Sequence, residues 1–372
     1  MAHSIARQPA RRRGAIAVLA ALLIVTFLAI VAFGVDVGYL ALTRSQLQNA
    51  ADAAALAGTA GLIDGSAHAM AQAKVFGEHN EAAARDLTVL PDEDVVIGSW
   101  DFQSRIFQRA TAETLAEANA VQATTRLVSG RNNSAPLFFG RIFGLQSVDL
   151  DAVAIAALWN NLRGFRIPPN GENLKLLPMA FDLESWDQAI AGVGPDNWSW
   201  NEAGEQTVNQ SDGIPEINLH PVGNNGAPGN RGLIEIGAEA GETDTFRQQI
   251  VEGINATELN YHGGELDLGP RGKMNLSGEP GVRSTLRREL ESIVGQTRIV
   301  PLFTKLSDNG TNATYTIVKF GAVRIMDVSF RGNPKKIIAQ PTQVYVHGAI
   351  PDLRGEVGSS SDLIYSAPRL VQ

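Results

Sequence analysis

The chain contains no cysteine. Disulfides, thiolate catalysis, iron–sulfur clusters and cysteine zinc sites are therefore excluded, and the fold must be held by its core alone. The same absence leaves the redox compartment undetermined. Histidine is scarce: His3, His68, His79, His220, His262 and His347 are all there is. No two of them form a His-x-x-x-His or His-Glu-x-x-His pair. No Gly-x-Ser-x-Gly elbow, P-loop or dinucleotide fingerprint is present. Carboxylates are plentiful, but no spacing singles out a pair. The expectation is no catalytic residue, no cofactor and no metal.

Charge is also sparse, with 19% charged residues against 44% hydrophobic, enough apolar sequence for a real core. The 372 residues allow two soluble domains, or one large one. Net charge is −8, unevenly spread. Residues 1–14 carry Arg7, Arg11, Arg12 and Arg13 and no acid. Removing those four from the 31 basic residues leaves 27 against 39 acids, a net of −12. Such an acidic body lacks the basic face that phosphate neutralisation requires, so nucleic acid is not an expected partner.

What is abundant is a single apolar run. Ala15 to Val35 is 21 residues without a charge, with Thr26 its most polar member. About 20 such residues span a bilayer core as a helix. Arg11, Arg12 and Arg13 precede it and Asp36 follows, so the N-terminus is expected inside and the C-terminal bulk outside. A cleaved signal peptide has an apolar region of about 7–15 residues and a small-x-small site. The longer run here, ending Phe33-Gly34-Val35-Asp36, points instead to a retained anchor.

Beyond Asp36 the chain stays helical in composition and free of proline through Ala57. Leu40, Leu47, Ala51 and Ala54 fall on one stripe, and Gly61 is a stop. Span and extension are expected to form one rod of about 45 residues, roughly 70 Å long. An alanine face lets a second helix approach closely. Leu47, Ala50, Ala51, Asp52, Ala54 and Leu56 are accordingly the candidate partner-binding residues, with Arg11, Arg12, Arg13 and Asp36 as the topology determinants. The competing reading is that alanine is simply a good helix former and Asp52 a solvated charge.

Three pieces carry a resemblance. Arg-Arg-Gly-Ala-Ile-Ala-Val at Arg12–Val18, Val-Asp-Val-Gly-Tyr at Val35–Tyr39 and Leu-Gln-Asn-Ala-Ala-Asp-Ala-Ala-Ala-Leu-Ala-Gly at Leu47–Gly58 follow one another in order and spacing. Together they resemble the N-terminus of TadE/TadG-like Flp (Tad) pilus-assembly proteins. The resemblance implies a bacterial inner-membrane protein with other pilus-assembly proteins as partners and no enzymatic activity; oligomerisation is left open. Related prepilins are cut after a glycine and carry glutamate five residues later, whereas here Gly14 is followed by Leu19 at that place. Long TadG members carry an Asp-x-Ser-x-Ser metal motif. The nearest string, Asp327-Val328-Ser329-Phe330-Arg331, fails at its last position.

The rest of the chain reads as α+β. Ser66–Arg85 is expected as a second helix ended by Pro91. Val95–Trp100, Arg105–Gln108 and Ala120–Leu127 are expected strands, Ser134–Leu145 a helix with Ser134 at its N-cap, and Val148–Trp159 a strand. Gly164–Gly171, with Pro168-Pro169, reads as a boundary. Asp244–Gly253 and Ser284–Gly295 are expected helices. Thr297–Thr304, Ala313–Phe330 and Lys335–Ile350 are expected strand-rich, with a turn at Asp308-Asn309-Gly310.

The domain reading is a basic tail at 1–14, a transmembrane helix at 15–35, a TadE/G-like helix with an α+β domain at 36–163, and a second extracytoplasmic α+β domain with β-hairpins at 164–372. One stretch keeps a second function open. Trp186, Trp198 and Trp200 lie among Asp182, Glu184, Asp187 and Asp196, a composition that suits a glycan-type ligand or, more simply, a loop-rich core.

Overall fold

The computed structural model describes residues 13–115, 118–220, 231–237, 241–307, 313–331, 335–352 and 360–372. Two compact units emerge: one ends at Ala157 and takes back Arg369–Gln372, the other is Leu158–Pro368. The division thus falls a few residues before the expected boundary. Gly164 lies within strand Leu162–Arg166, paired on both sides inside the second unit.

The first unit is organised by one helix, α1, Arg13–Ala60, 48 residues long, or about 72 Å at 1.5 Å per residue. Span and extension are one continuous rod, as their unbroken run of helix formers demands. Its N-terminal part is bare: Leu19, Leu22, Phe27 and Phe33 are all exposed, Phe33 at 72%. From Asp36 onward one stripe is buried, through Thr43, Leu47, Ala50, Ala51, Ala54 and Ala55. These residues recur at three- and four-residue intervals, the helical period.

α2, Ser66–Glu78, packs back on α1. At Gly61, in the turn just past α1, the chain comes so close to α2 that a Cβ there would lie 2.9 Å from the Ala69 Cα, an approach that glycine permits. The expected helix through Arg85 stops short. Ala83 and Ala84 both take left-handed φ, 56° and 54°, turning Glu81–Ala82 onto Arg85–Asp86 as a tight hairpin. Pro91 does not end a helix but begins one, the short Pro91–Asp94, where its missing N–H is no loss.

A five-stranded antiparallel sheet lies beside α2 against the same buried stripe of α1. Its order is Arg369–Leu370, Leu150–Ala157, Ala120–Leu127, Val95–Asp101, Ile106–Arg109. Val121, Ala123, Ala152, Ala154 and Ala156 of the sheet meet the buried stripe of α1 in one core. Under one end of the sheet Asp94 is fully buried and bridged by Arg131 at 2.7 Å and Arg126 at 3.0 Å.

The second unit centres on a mixed sheet. Met179–Asp182, Gly232–Ile234, Met274–Pro280, Ala313–Ser329 and Thr297–Ser307 pair in turn, and the last pairs back to the first. The ladder therefore closes on itself, which removes the strand edges of that ring. The 17-residue strand Ala313–Ser329 serves four neighbours: beyond its two partners in the ring it pairs with Lys336–Pro341 and, in parallel, with Ser361–Asp362. Helix Leu183–Ile190, helix Thr243–Glu252 and the turn-and-helix Ser284–Ser292 cover it. This is the expected α+β module with hairpins. The expected turn at Asp308–Gly310 lies outside the described residues.

Candidate assembly and membrane interface

Asp36 is where the two parts of α1 meet. It is buried, and its carboxylate points sideways into the loop between strands Ala120–Leu127 and Leu150–Ala157. Oδ1 accepts the Phe138 N–H at 2.8 Å, and Oδ2 accepts those of Phe139 at 3.1 Å and Gly140 at 2.7 Å. Three successive N–H groups on one carboxylate form a charge-assisted clamp, stronger than neutral hydrogen bonds. Tyr39, one turn along the helix, meets Phe138 edge-to-face with ring centroids 4.9 Å apart.

This clamp overturns the helix expected over Ser134–Leu145. Ala135–Pro136 is extended and pairs with Ser147–Val148, and only Gly140–Phe143 makes a short 3₁₀ turn, closed by Gly144 at φ 85°. The N–H groups of Phe138–Gly140 go to Asp36 rather than to carbonyls along a helix. The sequence reading missed the residues of this loop. No local signal argued against a helix: at about 100° per residue Phe138, Phe139, Ile142, Phe143 and Leu145 fall on one side of a helix, with Gly140, Arg141 and Gly144 opposite, an apparent apolar face.

The six nominated partner-binding residues separate into two groups. Leu47, Ala50, Ala51 and Ala54 have no exposed surface. The chain's own sheet and α2 already cover them. Thr125 Oγ1 donates to the Leu47 carbonyl at 2.8 Å, and Gly77 of α2 lies against Ala54. The expected uncovered alanine face is thus the helix's own packing face. Asp52 and Leu56 are instead half-buried, and Leu56 packs against that same core. Along the helix Asp52 continues a stripe formed by the exposed Gly38, Leu42, Ser45 and Asn49. Gln48 donates to Asp52 at 2.8 Å and to the Val153 carbonyl at 3.2 Å, tying the margin of that stripe to the sheet. Arg11 and Arg12 lie outside the described residues, as does the side chain of Arg13.

The acidic, tryptophan-rich stretch of the second unit assembles differently from a ligand cradle. Trp186 is wholly buried and donates its indole N–H to Asp362 at 2.8 Å. Trp200 is stacked under the Arg324 guanidinium at 4.1 Å. A cleft of about 880 Å³ is lined by Asp182, Glu184 and Asp187, with Lys305 opposite and none of the three tryptophans. A smaller hollow of about 460 Å³ does contain Trp198 and Glu216. There the Glu216 carboxylate accepts the N–H groups of Asn197 and Trp198 at 2.9 and 2.7 Å. Burial pushes the Asp182 carboxyl up, but Ser185 and the Arg231 guanidinium outweigh it and hold it below its ordinary 3.8. That carboxyl caps helix Leu183–Ile190. Asp182, Asp196, Glu216, Trp186 and Trp200 are engaged in intramolecular contacts, whereas Glu184 and Asp187 line the cleft. Among the described residues, no three His, Asp or Glu side chains gather as a metal ion would require.

Among the described residues α1 is also the single helix long and apolar enough to cross a membrane. Its apolar window has no side chain buried by the rest of the chain. Residues 14–74 match the family model described as putative Flp pilus-assembly TadE/G-like. The matched segment takes in α1 almost entirely and α2 as far as Lys74. No curated protein and no solved structure matches the chain. The Tad-like segment therefore coincides with the helix that carries the apolar span and the spine of the first unit. The five-stranded sheet and the whole second unit lie beyond it.

Proposed function

We propose that the protein is a single-span, membrane-anchored component of a Flp-type pilus assembly or a related secretion apparatus. It acts through protein–protein contacts and not through catalysis. The observation that carries this reading is the two-part use of one helix in the Tad-like segment. Residues 16–35 are apolar and none of them is buried by the chain, whereas the continuation from Asp36 is the spine of a folded unit. Apolar side chains exposed all round a helix are stable in lipid and not in water. The arginines before the span support an N-inside orientation, with both folded units on the extracytoplasmic side of a bacterial inner membrane.

The surface proposed for assembly partners is the open stripe Gly38, Leu42, Ser45 and Asn49, with the half-buried Asp52 at its end. It is continuous with the span, and its small residues admit a neighbouring membrane helix.

The test is photocrosslinking in a Flp-piliated host whose own copy of this gene is deleted. A crosslinking amino acid at Asn49 is expected to capture another pilus-assembly protein, and one at the covered Leu47 is not. Full piliation of the deletion strain, with no adduct from Asn49, would contradict the proposal.

A further inference from the structure

We infer that the loop Phe138–Leu145 is a second membrane contact, a short apolar wedge that rests in the outer leaflet beside the anchor; this rests on the reading of α1 as a membrane span. The loop exposes Phe138 at 59%, Ile142 at 76%, Phe143 at 73% and Leu145 at 59%. With Phe139, which is also exposed, five large apolar side chains on eight residues form a patch that water disfavours.

Position decides what covers it. The clamp on Asp36 fixes the loop at the residue that closes the apolar run. The side-chain hydrogen bonds between the sheet and α1 are made farther out: Thr125 to Leu47, Gln48 to Val153, Thr59 to Ala156. Asp36 precedes Leu47 by eleven residues, about 16 Å of helix rise. The loop is therefore the part of the first unit that lies nearest the span.

Its geometry is that of a prebuilt wedge rather than a loose tether. Leu137 is buried beneath it, the Leu145 N–H reaches back to the Gly140 carbonyl at 3.0 Å, and the Leu137 N–H is held by the Gln146 carbonyl at 3.0 Å. The charges at this end suit a phosphate layer. Arg141 on the loop and Arg44 on α1 are both exposed, while Asp36 is turned inward and occupied by three N–H groups. Amphipathic segments with a basic margin lie in the interface in this way. Clamping the Asp36 carboxylate also removes bare negative charge from the membrane boundary, where it is disfavoured.

The absence of cysteine makes the test direct. Full-length protein with a single spin label at Ile142→Cys, or separately at Phe143→Cys, is reconstituted in phospholipid nanodiscs. Collision of each label with oxygen, which concentrates in lipid, is compared with collision with a water-soluble nickel chelate. Labels at Leu28→Cys and Glu113→Cys serve as references for lipid and water. The expected result is that both loop labels favour oxygen over nickel, as Leu28 does, while Glu113 favours nickel. Loop labels that follow Glu113 while Leu28 reports lipid would overturn the wedge and leave the anchor standing. A Leu28 label accessible to nickel would instead overturn the anchor itself. Loop labels shielded from both reagents would mean that a second copy covers the patch, which also overturns the inference.

Discussion

The Oδ2 of Asp36 accepts the backbone N–H of Gly140 at 2.7 Å across 104 residues of sequence. That bond and its two neighbours join the end of the apolar span to the folded unit. Removing the acceptor leaves partly buried donors unpaired, at a cost of up to about 1–3 kcal/mol. Asp36→Ala is expected to loosen the loop so that trypsin cuts at Arg141, with Asp36→Asn intermediate because one oxygen remains. Equal cleavage rates in the three proteins would show that the clamp does not hold the loop.

The alanine stripe of α1 is a packing face. Ala51→Leu with Ala54→Leu adds bulk where neither side chain has exposed surface. Overfilling such a face costs about 1–3 kcal/mol, so the double variant is expected to melt at lower temperature in detergent and to accumulate poorly. Asn49→Leu, on the exposed side, is expected to leave melting unchanged while weakening co-purification with assembly partners. Melting curves and pull-downs of the two variants check the assignment of the two faces.

In the second unit, Gly321 sits under Trp186. A Cβ at that position would lie 2.6 Å from the indole ring, closer than van der Waals contact allows. Gly321→Ala is expected to displace the ring and strain its hydrogen bond to Asp362, which also receives Lys319 at 2.7 Å. The predicted loss is about 1–3 kcal/mol in urea unfolding, with a shift in tryptophan emission. Unchanged stability would mean that the ring has room to yield.

His262 gives the second unit a pH dependence. Burial disfavours the charged ring and moves its pKa below 6.5, and the neutral Nε2 accepts the Gly237 N–H at 3.2 Å. With the folded pKa depressed, the unfolded chain binds the proton first. The stability contributed by the neutral ring is complete above about pH 6.5 and falls as the pH drops from there toward the folded pKa. Urea midpoints between about pH 7.5 and about pH 5.5, a window that brackets the ordinary histidine value, are expected to fall less in His262→Gln than in the native chain. Parallel curves would remove His262 as the cause.

Local features of the sequence transferred well to the structure, and distant ones did not. α1 was legible because an apolar run and an alanine run are both strong helix signals with no proline between them. Strands such as Ala120–Leu127 were legible from their alternation. Ser134–Leu145 carried plausible helix ends, yet its shape is set by Asp36 on another element, which no window of neighbouring residues contains. Ala83 and Ala84 look helical by composition, but a hairpin holds them at positive φ. The alanine face was visible as a docking stripe, but not the identity of what docks on it: small side chains fit a partner helix and the chain's own sheet equally well. Trp186 among acids suited either a ligand or, more simply, a loop-rich core, and the buried indole bonded to Asp362 follows the second reading.

The central claim is that one rigid helix lies in lipid over residues 16–35 and outside the cytoplasm from Asp36 onward. Single cysteines placed in this cysteine-free chain at Ser4, Leu23 and the exposed Ala112 can be probed in spheroplasts with a membrane-impermeant maleimide. The account predicts that Ala112→Cys reacts in intact spheroplasts, that Ser4→Cys reacts only after lysis, and that Leu23→Cys reacts in neither case. Reaction of Leu23→Cys in intact spheroplasts, or of Ser4→Cys with Ala112→Cys protected, would contradict it.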